Sequence, residues 1–194
     1  MSTRDRVLDA ALASFAARGY EATSLDGLAG GLGVRKQTIL YHFTSKEALL
    51  DAVVDRGAAE LGGALEAAAV RAADGFDRVE AIVDAVFRLG ARRPELLELL
   101  REITRLGPPA STRLTGALDP LLRRAGAYLD SERAAGRLRA GDPHRVVLTA
   151  CAMVIGMATE TEVLRTLGIE PDLAALRRRR RELLRYLRGA LTPG

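Results

Sequence analysis

The chain has 194 residues, 48% hydrophobic and 28% charged, the balance of an ordinary globular protein; its net charge of +4 suits a polyanionic partner without demonstrating one. No run reaches the roughly 20 apolar residues of a bilayer span, and Met1-Ser2-Thr3-Arg4-Asp5-Arg6 passes directly into an amphipathic pattern, so no membrane association and a cytoplasmic location are expected. One cysteine, Cys151, and two histidines, His42 and His144, exclude a disulfide framework and the paired spacings of metal sites, and with no constellation for catalysis, neither enzyme activity nor metal nor cofactor is expected.

Leu8, Ala11, Leu12 and Phe15 recur at helical spacing from about Thr3, and Arg18-Gly19 supplies the stop. Thr23 or Ser24 caps a second, short helix carrying Leu25, Leu28, Ala29 and Leu32, which ends at Gly33. A third helix follows through Arg35-Lys36-Gln37-Thr38-Ile39-Leu40-Tyr41-His42-Phe43. Thr44 and Ser45 are rival caps for a fourth, whose apolar pattern from Leu49 continues to about Ala73. Further helical stretches are predicted over 76–92, 94–106, 110 to roughly 136, 143–167 and 172–191. Their breaks fall at Asp74-Gly75, Gly107-Pro108-Pro109, Gly141-Asp142-Pro143 and Gly168-Ile169-Glu170-Pro171, and Pro120 is expected to kink or split its helix. No segment alternates with a period of two between hairpin signals, so the predicted class is all-α.

Residues 24–43 have the layout of a helix-turn-helix. Two short helices that cross steeply need a small residue at the crossing, which Ala29 supplies, and Gly33 stands at the turn, where a positive φ penalises a Cβ. Leu28, Leu32, Val34 and Ile39, with Leu8, Leu12, Phe15, Tyr20 and Phe43, form a three-helix core. With the third helix in a major groove, Gln37 can pair bidentately with adenine, Thr38 can contact a base or a thymine methyl, and Arg35 or Lys36 can read guanine or hold phosphate. Tyr41, His42 and Lys46 then meet flanking phosphates, and the capping pair Thr23 and Ser24 lies at a helix start that suits another. The same spacing also fits a purely structural three-helix bundle.

The segments GlyTyrGluAlaThrSer, LeuAlaGlyGlyLeuGlyVal, GlnThrIleLeuTyrHisPhe and SerLysGluAlaLeu resemble the DNA-binding domain of the TetR family of transcriptional regulators, over about residues 5 to 50. Arg35 departs from the family pattern by standing where a serine is common, and Leu40 where a tyrosine is usual. The three glycines Gly27, Gly30 and Gly31 load the second helix with weak helix formers. The resemblance implies a DNA-binding domain over 1–50 and a helical regulatory and dimerisation domain over 51–194. It further implies a homodimer formed through the last two helices, a double-stranded, pseudo-palindromic DNA operator, and a small-molecule ligand among the C-terminal helices that releases the DNA. The alternatives are an activator, or a helical ligand-binding module that has lost DNA binding.

The C-terminal sequence is compatible with this organisation. Val146 to Ala158 is almost uncharged around the whole helix, and Leu173, Leu176, Leu183, Leu184, Leu187 and Leu191 form a stripe opposite the arginines 177–181 and Arg185. Candidate pocket residues are Phe87, Leu100, Ile103, Thr104, Tyr128, Thr149, Met153 and Met157, a mostly apolar set suited to a small apolar ligand.

Overall fold

The computed structural model describes residues 1–139, 142, 145, 146, 148–150, 152, 153, 168 and 173–192. Among the described residues there is no strand, and the helices are α1 (Thr3–Arg18), α2 (Leu25–Leu32), α3 (Lys36–His42), α4 (Lys46–Arg71), α5 (Phe76–Arg92), α6 (Pro94–Leu106), α7 (Ala110–Ala134) and α8 (Leu173–Leu191). The expected helix over 143–167 lies largely outside the described residues, as do Cys151, His144 and Met157.

The caps explain the boundaries. Ser2 and Asp5 form a capping box at the start of α1: the Asp5 N–H donates to Ser2 Oγ, and the Ser2 N–H donates to the Asp5 carboxylate, both at 3.1 Å. Of the rival caps for α2, Ser24 is used, in an extended conformation with its Oγ accepting from the Gly27 N–H at 3.0 Å. For α4 the cap is Ser45, which accepts from the Ala48 N–H. Gly33 closes α2 in the left-handed region, at φ 67° and ψ 32°, while the Val34 N–H returns to the Ala29 carbonyl. Of the two expectations for Pro120, a kink or a split, the split is corrected, since α7 continues through it. Pro120 is exposed, and the residue four before it, whose carbonyl the ring would crowd, is Gly116, with nothing near its Cβ position.

The chain packs as two units. The first comprises Met1–Glu60 and Arg93–Ala117. Its core joins Val7, Leu8, Ala11, Leu12 and Phe15 of α1 to Leu28 and Ala29 of α2, Ile39 of α3, Phe43, and Leu49, Leu50, Val53 and Val54 of α4. Leu99 and Ile103 of α6 complete it from the far side of α1 in sequence, and each fully buried side chain of this kind contributes about 1.5–3 kcal/mol. The sequence puts a boundary near residue 50. In the structure the N-terminal helices pack with α6 and the start of α7 as well, because α1 is apolar on more of its circumference than α2, α3 and α4 cover.

A polar anchor reinforces that packing. Glu102 of α6 is 8% exposed, and its carboxylate accepts from the Tyr20 N–H at 2.6 Å and from both Nε and Nη2 of Arg105 at 2.8 Å. Arg105 holds the Glu102 carboxyl below the usual carboxylate range, against the opposing effect of burial. Two further ion pairs in this unit join Arg56 to Asp9 and Arg93 to Glu60.

The second unit comprises Leu61–Arg92 and Leu118–Gly194. Its described core is Phe76, Val83 and Phe87 of α5, Leu129 of α7, Leu138, and Leu183, Leu184, Leu187 and Leu191 of α8. The leucine stripe expected on α8 is thus buried along Leu183–Leu191, and Arg180 of the same helix turns to Asp84 and Glu80 of α5. At the turn between α4 and α5, the buried Glu132 accepts from the Gly75 N–H at 2.8 Å and from Nε and Nη2 of Arg137 at 2.6 Å each, while the Tyr128 hydroxyl donates to the Gly75 carbonyl.

Candidate nucleic-acid interface

The third helix is fixed from one side only. Ile39 is fully buried and Phe43, just past the C-terminus of α3, is nearly so, which turns the opposite side of the helix to solvent. On that side Arg35, Gln37 and Tyr41 are exposed and Thr38 and His42 half-buried. Gln37 and Tyr41, four residues apart, stand one above the other on a single face. Tyr41 is 85% exposed, a degree unusual for a large ring, and it meets the edge of the His42 ring at 5.1 Å between centroids. Arg35 precedes α3 in an extended conformation, and its guanidinium, which only donates, leaves the helix start without a side-chain cap.

Behind this face the turn after α1 is immobilised. The Tyr20 ring packs on Phe15 at 5.5 Å, and the Lys46 ammonium lies 4.2 Å from the Tyr20 ring centre and donates to the Glu21 carbonyl at 3.3 Å. The Tyr20 hydroxyl donates to Glu47 at 3.2 Å, and burial together with the Glu47 carboxylate pushes the phenol up to about 12. Arg6 reaches the last carbonyl of α2, that of Leu32, at 3.1 Å, and the Arg4 guanidinium covers the Phe43 ring at 5.2 Å. The start of α1 therefore braces the end of α2 and the end of α3.

The residues named from sequence do not all reach the same surface. Ser24, Arg35, Lys36, Gln37, Thr38, Tyr41, His42 and Lys46 are each at least partly exposed. Thr23 is the correction: it is 1% exposed, its hydroxyl shares a hydrogen bond with Ser14 Oγ at 2.8 Å and donates to the Gly19 carbonyl at 2.9 Å, and no side remains for a phosphate. Lys46 is engaged by Tyr20 and Glu21, and Lys36 by Asp26 of α2 at 2.8 Å. The pairing of Asp26 with Lys36 is not legible in the sequence. The ten-residue gap between Asp26 and Lys36 crosses a turn and has no helical periodicity to reveal the pair.

The candidate pocket residues fall in both units. Leu100, Ile103 and Thr104 are on α6 in the first, where Ile103 is core beside α1 and the Thr104 hydroxyl donates to its own helix at Leu100. Phe87, Tyr128, Thr149 and Met153 are in the second; Phe87 belongs to the core, with Tyr128 and Met153 packed against it, and the Thr149 hydroxyl donates to the Arg145 carbonyl. Met157 lies outside the described residues. No group of His, Cys, Asp and Glu able to hold a metal occurs among the described residues, and no helix there is long and apolar enough to cross a membrane.

Comparison with known proteins places this geometry. Residues 7–53 match the model of the bacterial regulatory proteins of the tetR family. The HTH-type transcriptional repressor ComR of Escherichia coli is 47% identical over 53 residues, which are 27% of this chain and 25% of ComR. IcaR of Staphylococcus aureus, the negative transcriptional regulator of the biofilm operon icaADBC, is 33% identical over 48 residues, 25% of this chain and 26% of IcaR. The matched region thus spans about a quarter of the length of these curated relatives. The fold similarity extends further: SmeT, the repressor of the Stenotrophomonas maltophilia multidrug efflux pump SmeDEF, superposes over 100% of this chain and 92% of its own with a TM-score of 0.78 at 24% identity. Residues 7–53 thus form an N-terminal domain of the kind found in the tetR family of bacterial regulatory proteins, and the fold of the chain is similar to that of SmeT.

Proposed function

We propose that the chain is a sequence-specific, DNA-binding transcriptional regulator: a repressor that binds a pseudo-palindromic operator as a homodimer and is released by a small apolar ligand held among its C-terminal helices. The observation that carries it is the exposure of Gln37 and Tyr41 on one face of α3, with Arg35 exposed just before the helix, while Ile39 and Phe43 anchor the opposite side. A helix so mounted presents a base-reading amide, a guanidinium and a phenol to one groove. A dimer supports the specificity, since two such helices one DNA turn apart double the contacts without new chemistry. The repressor sign rests on ComR, IcaR and SmeT, each of which is a repressor or negative regulator. The C-terminal helices regulate DNA binding by coupling ligand affinity to operator affinity. The regulator acts in the cytoplasm, where its operator is.

Fluorescence anisotropy of the purified protein on a labelled mixed-sequence duplex tests the polyanion-binding core of this proposal. The logarithm of affinity falls linearly with the logarithm of salt, by about 0.9 for each phosphate neutralised. A protein that stays unbound at the lowest salt refutes it.

A further inference from the structure

The charge of the DNA-facing surface is not what its basic residues suggest. Lys36 opens α3, where it is the cation closest in sequence to the base-reading Gln37, yet its ammonium is 2.8 Å from the carboxylate of Asp26. Asp26 lies in the first turn of α2 with its side chain 71% exposed, and Lys36 is 41% exposed, so the pair sits at the surface and not in the core. Such a pair contributes little to folding: exposed ion pairs are worth a fraction of a kcal/mol, and α2 already has its cap from Ser24. Other bases near this face have uncharged partners, Lys46 the Tyr20 ring and the Glu21 carbonyl, Arg6 the Leu32 carbonyl, Arg4 the Phe43 ring. Lys36 alone among them is held by an exposed carboxylate, the one kind of partner that a phosphate can replace like for like.

We propose that Asp26 is an affinity-limiting residue of the DNA interface: its carboxylate competes with backbone phosphates for Lys36 and so holds down the sequence-independent part of DNA binding. The inference deepens the DNA-binding proposal and rests on it. Phosphate contacts are shared by every sequence, whereas Gln37 and Thr38 read bases, so a carboxylate that withholds one phosphate contact weakens attraction to bulk DNA without touching base recognition. On a chromosome, where non-specific sites are in vast excess, that restraint leaves more protein free for its operator. The neighbouring acids do not substitute for it: Glu21 and Glu47, beside this surface, lie on the Tyr20 and Lys46 side of the turn.

The test is anisotropy on a mixed-sequence duplex across a salt series with the wild-type protein, Asp26→Asn, Asp26→Ser, Lys36→Met and the double variant Asp26→Asn with Lys36→Met. Asp26→Asn and Asp26→Ser are expected to bind about three- to tenfold more tightly at low salt, with the log–log salt slope steeper by about 0.9, the value for one additional phosphate. In the Lys36→Met background most of that gain disappears and the slope returns to that of Lys36→Met alone. An equal gain with and without Lys36 shows that Asp26 acts by simple repulsion and overturns the competition. An affinity unchanged by either Asp26 substitution overturns it as well. A wild-type protein without salt-dependent binding refutes the DNA-binding proposal itself, and this inference with it. Thermal unfolding of each variant confirms that the affinities compare folded proteins.

Discussion

Glu102 and Tyr20, 82 residues apart, are joined by a 2.6 Å hydrogen bond from a backbone N–H to a buried carboxylate. It ties α6 to the turn that leads into the helix-turn-helix. Removing the carboxylate strands the Tyr20 N–H and frees Arg105, so Glu102→Ala is expected to lower stability by about 1–3 kcal/mol, the cost of an unsatisfied buried donor. Glu102→Gln, which keeps an acceptor in place, loses less. The carboxyl titrates below its ordinary value of 4.5 when folded, so its contribution is fully present above that value and disappears as pH falls through the lower, folded value. Urea unfolding at pH 7 and at pH 3 checks the sign: the deficit of Glu102→Gln is larger at pH 7.

The two glycines that flank α2 in sequence, Gly19 and Gly33, differ in what an added methyl meets. Gly33 at φ 67° has open space around a Cβ, so Gly33→Ala is expected to cost only the left-handed strain of about 1–2 kcal/mol, and Gly33→Asn less. Gly19 at φ 82° and ψ 163° is in a region reserved for glycine, and a Cβ there comes within 3.2 Å of Glu102 Oε1. Gly19→Ala therefore has the larger effect, and a comparison of denaturation midpoints decides it.

Adjacent hydroxyls at Thr23 and Ser24 have separate tasks. Thr23→Val removes a buried hydroxyl that serves Ser14 and Gly19, and a loss of about 1–2 kcal/mol is expected with DNA affinity of the folded protein unchanged within about twofold. Ser24→Ala removes the cap of α2 at a cost of about 1 kcal/mol. A large affinity loss in fully folded Thr23→Val contradicts the buried role.

In the second unit, Glu132 is 2% exposed and faces Arg137 and the Gly75 N–H. Arg137→Ala leaves that carboxylate without its counter-charge, and a destabilisation of about 1–3 kcal/mol at pH 7 is expected. Arg137 is the main cause that holds the Glu132 carboxyl below its ordinary value of 4.5, so the wild-type protein alone loses this stabilisation as acid protonates the group. The gap between Arg137→Ala and wild type thus narrows from pH 7 to pH 4, as chemical denaturation at both values measures.

Much of the N-terminal unit is legible in the sequence because local rules determine it. Leu8, Leu12 and Phe15 at helical spacing mark α1, Gly33 marks the turn, and Ile39 with Phe43 marks the inward side of α3, which leaves Gln37 and Tyr41 outward. What escaped is tertiary. Glu102 three residues before Arg105 reads as a surface pair within one helix, and nothing in the sequence near residue 102 indicates that its carboxylate closes the turn at Tyr20. Thr23 and Ser24 are equivalent as cap residues until the backbone assigns one of them inward. Asp26 and Lys36 are each ordinary for the first turn of a helix, and only the crossing of α2 and α3 makes them partners. Convergence of the pocket residues is a property of packing between helices that periodicity within one helix does not contain.

The central claim is that the outward face of α3 reads DNA sequence. The most direct measurement is selection of bound fragments from a random duplex pool with the purified protein, repeated with Gln37→Ala. The account predicts enrichment of one pseudo-palindromic sequence, with preference relaxed at a single position in each half-site for Gln37→Ala. A pool that remains random after repeated rounds, or an enriched sequence that Gln37→Ala, Thr38→Ala and Arg35→Ala all leave unchanged, contradicts it.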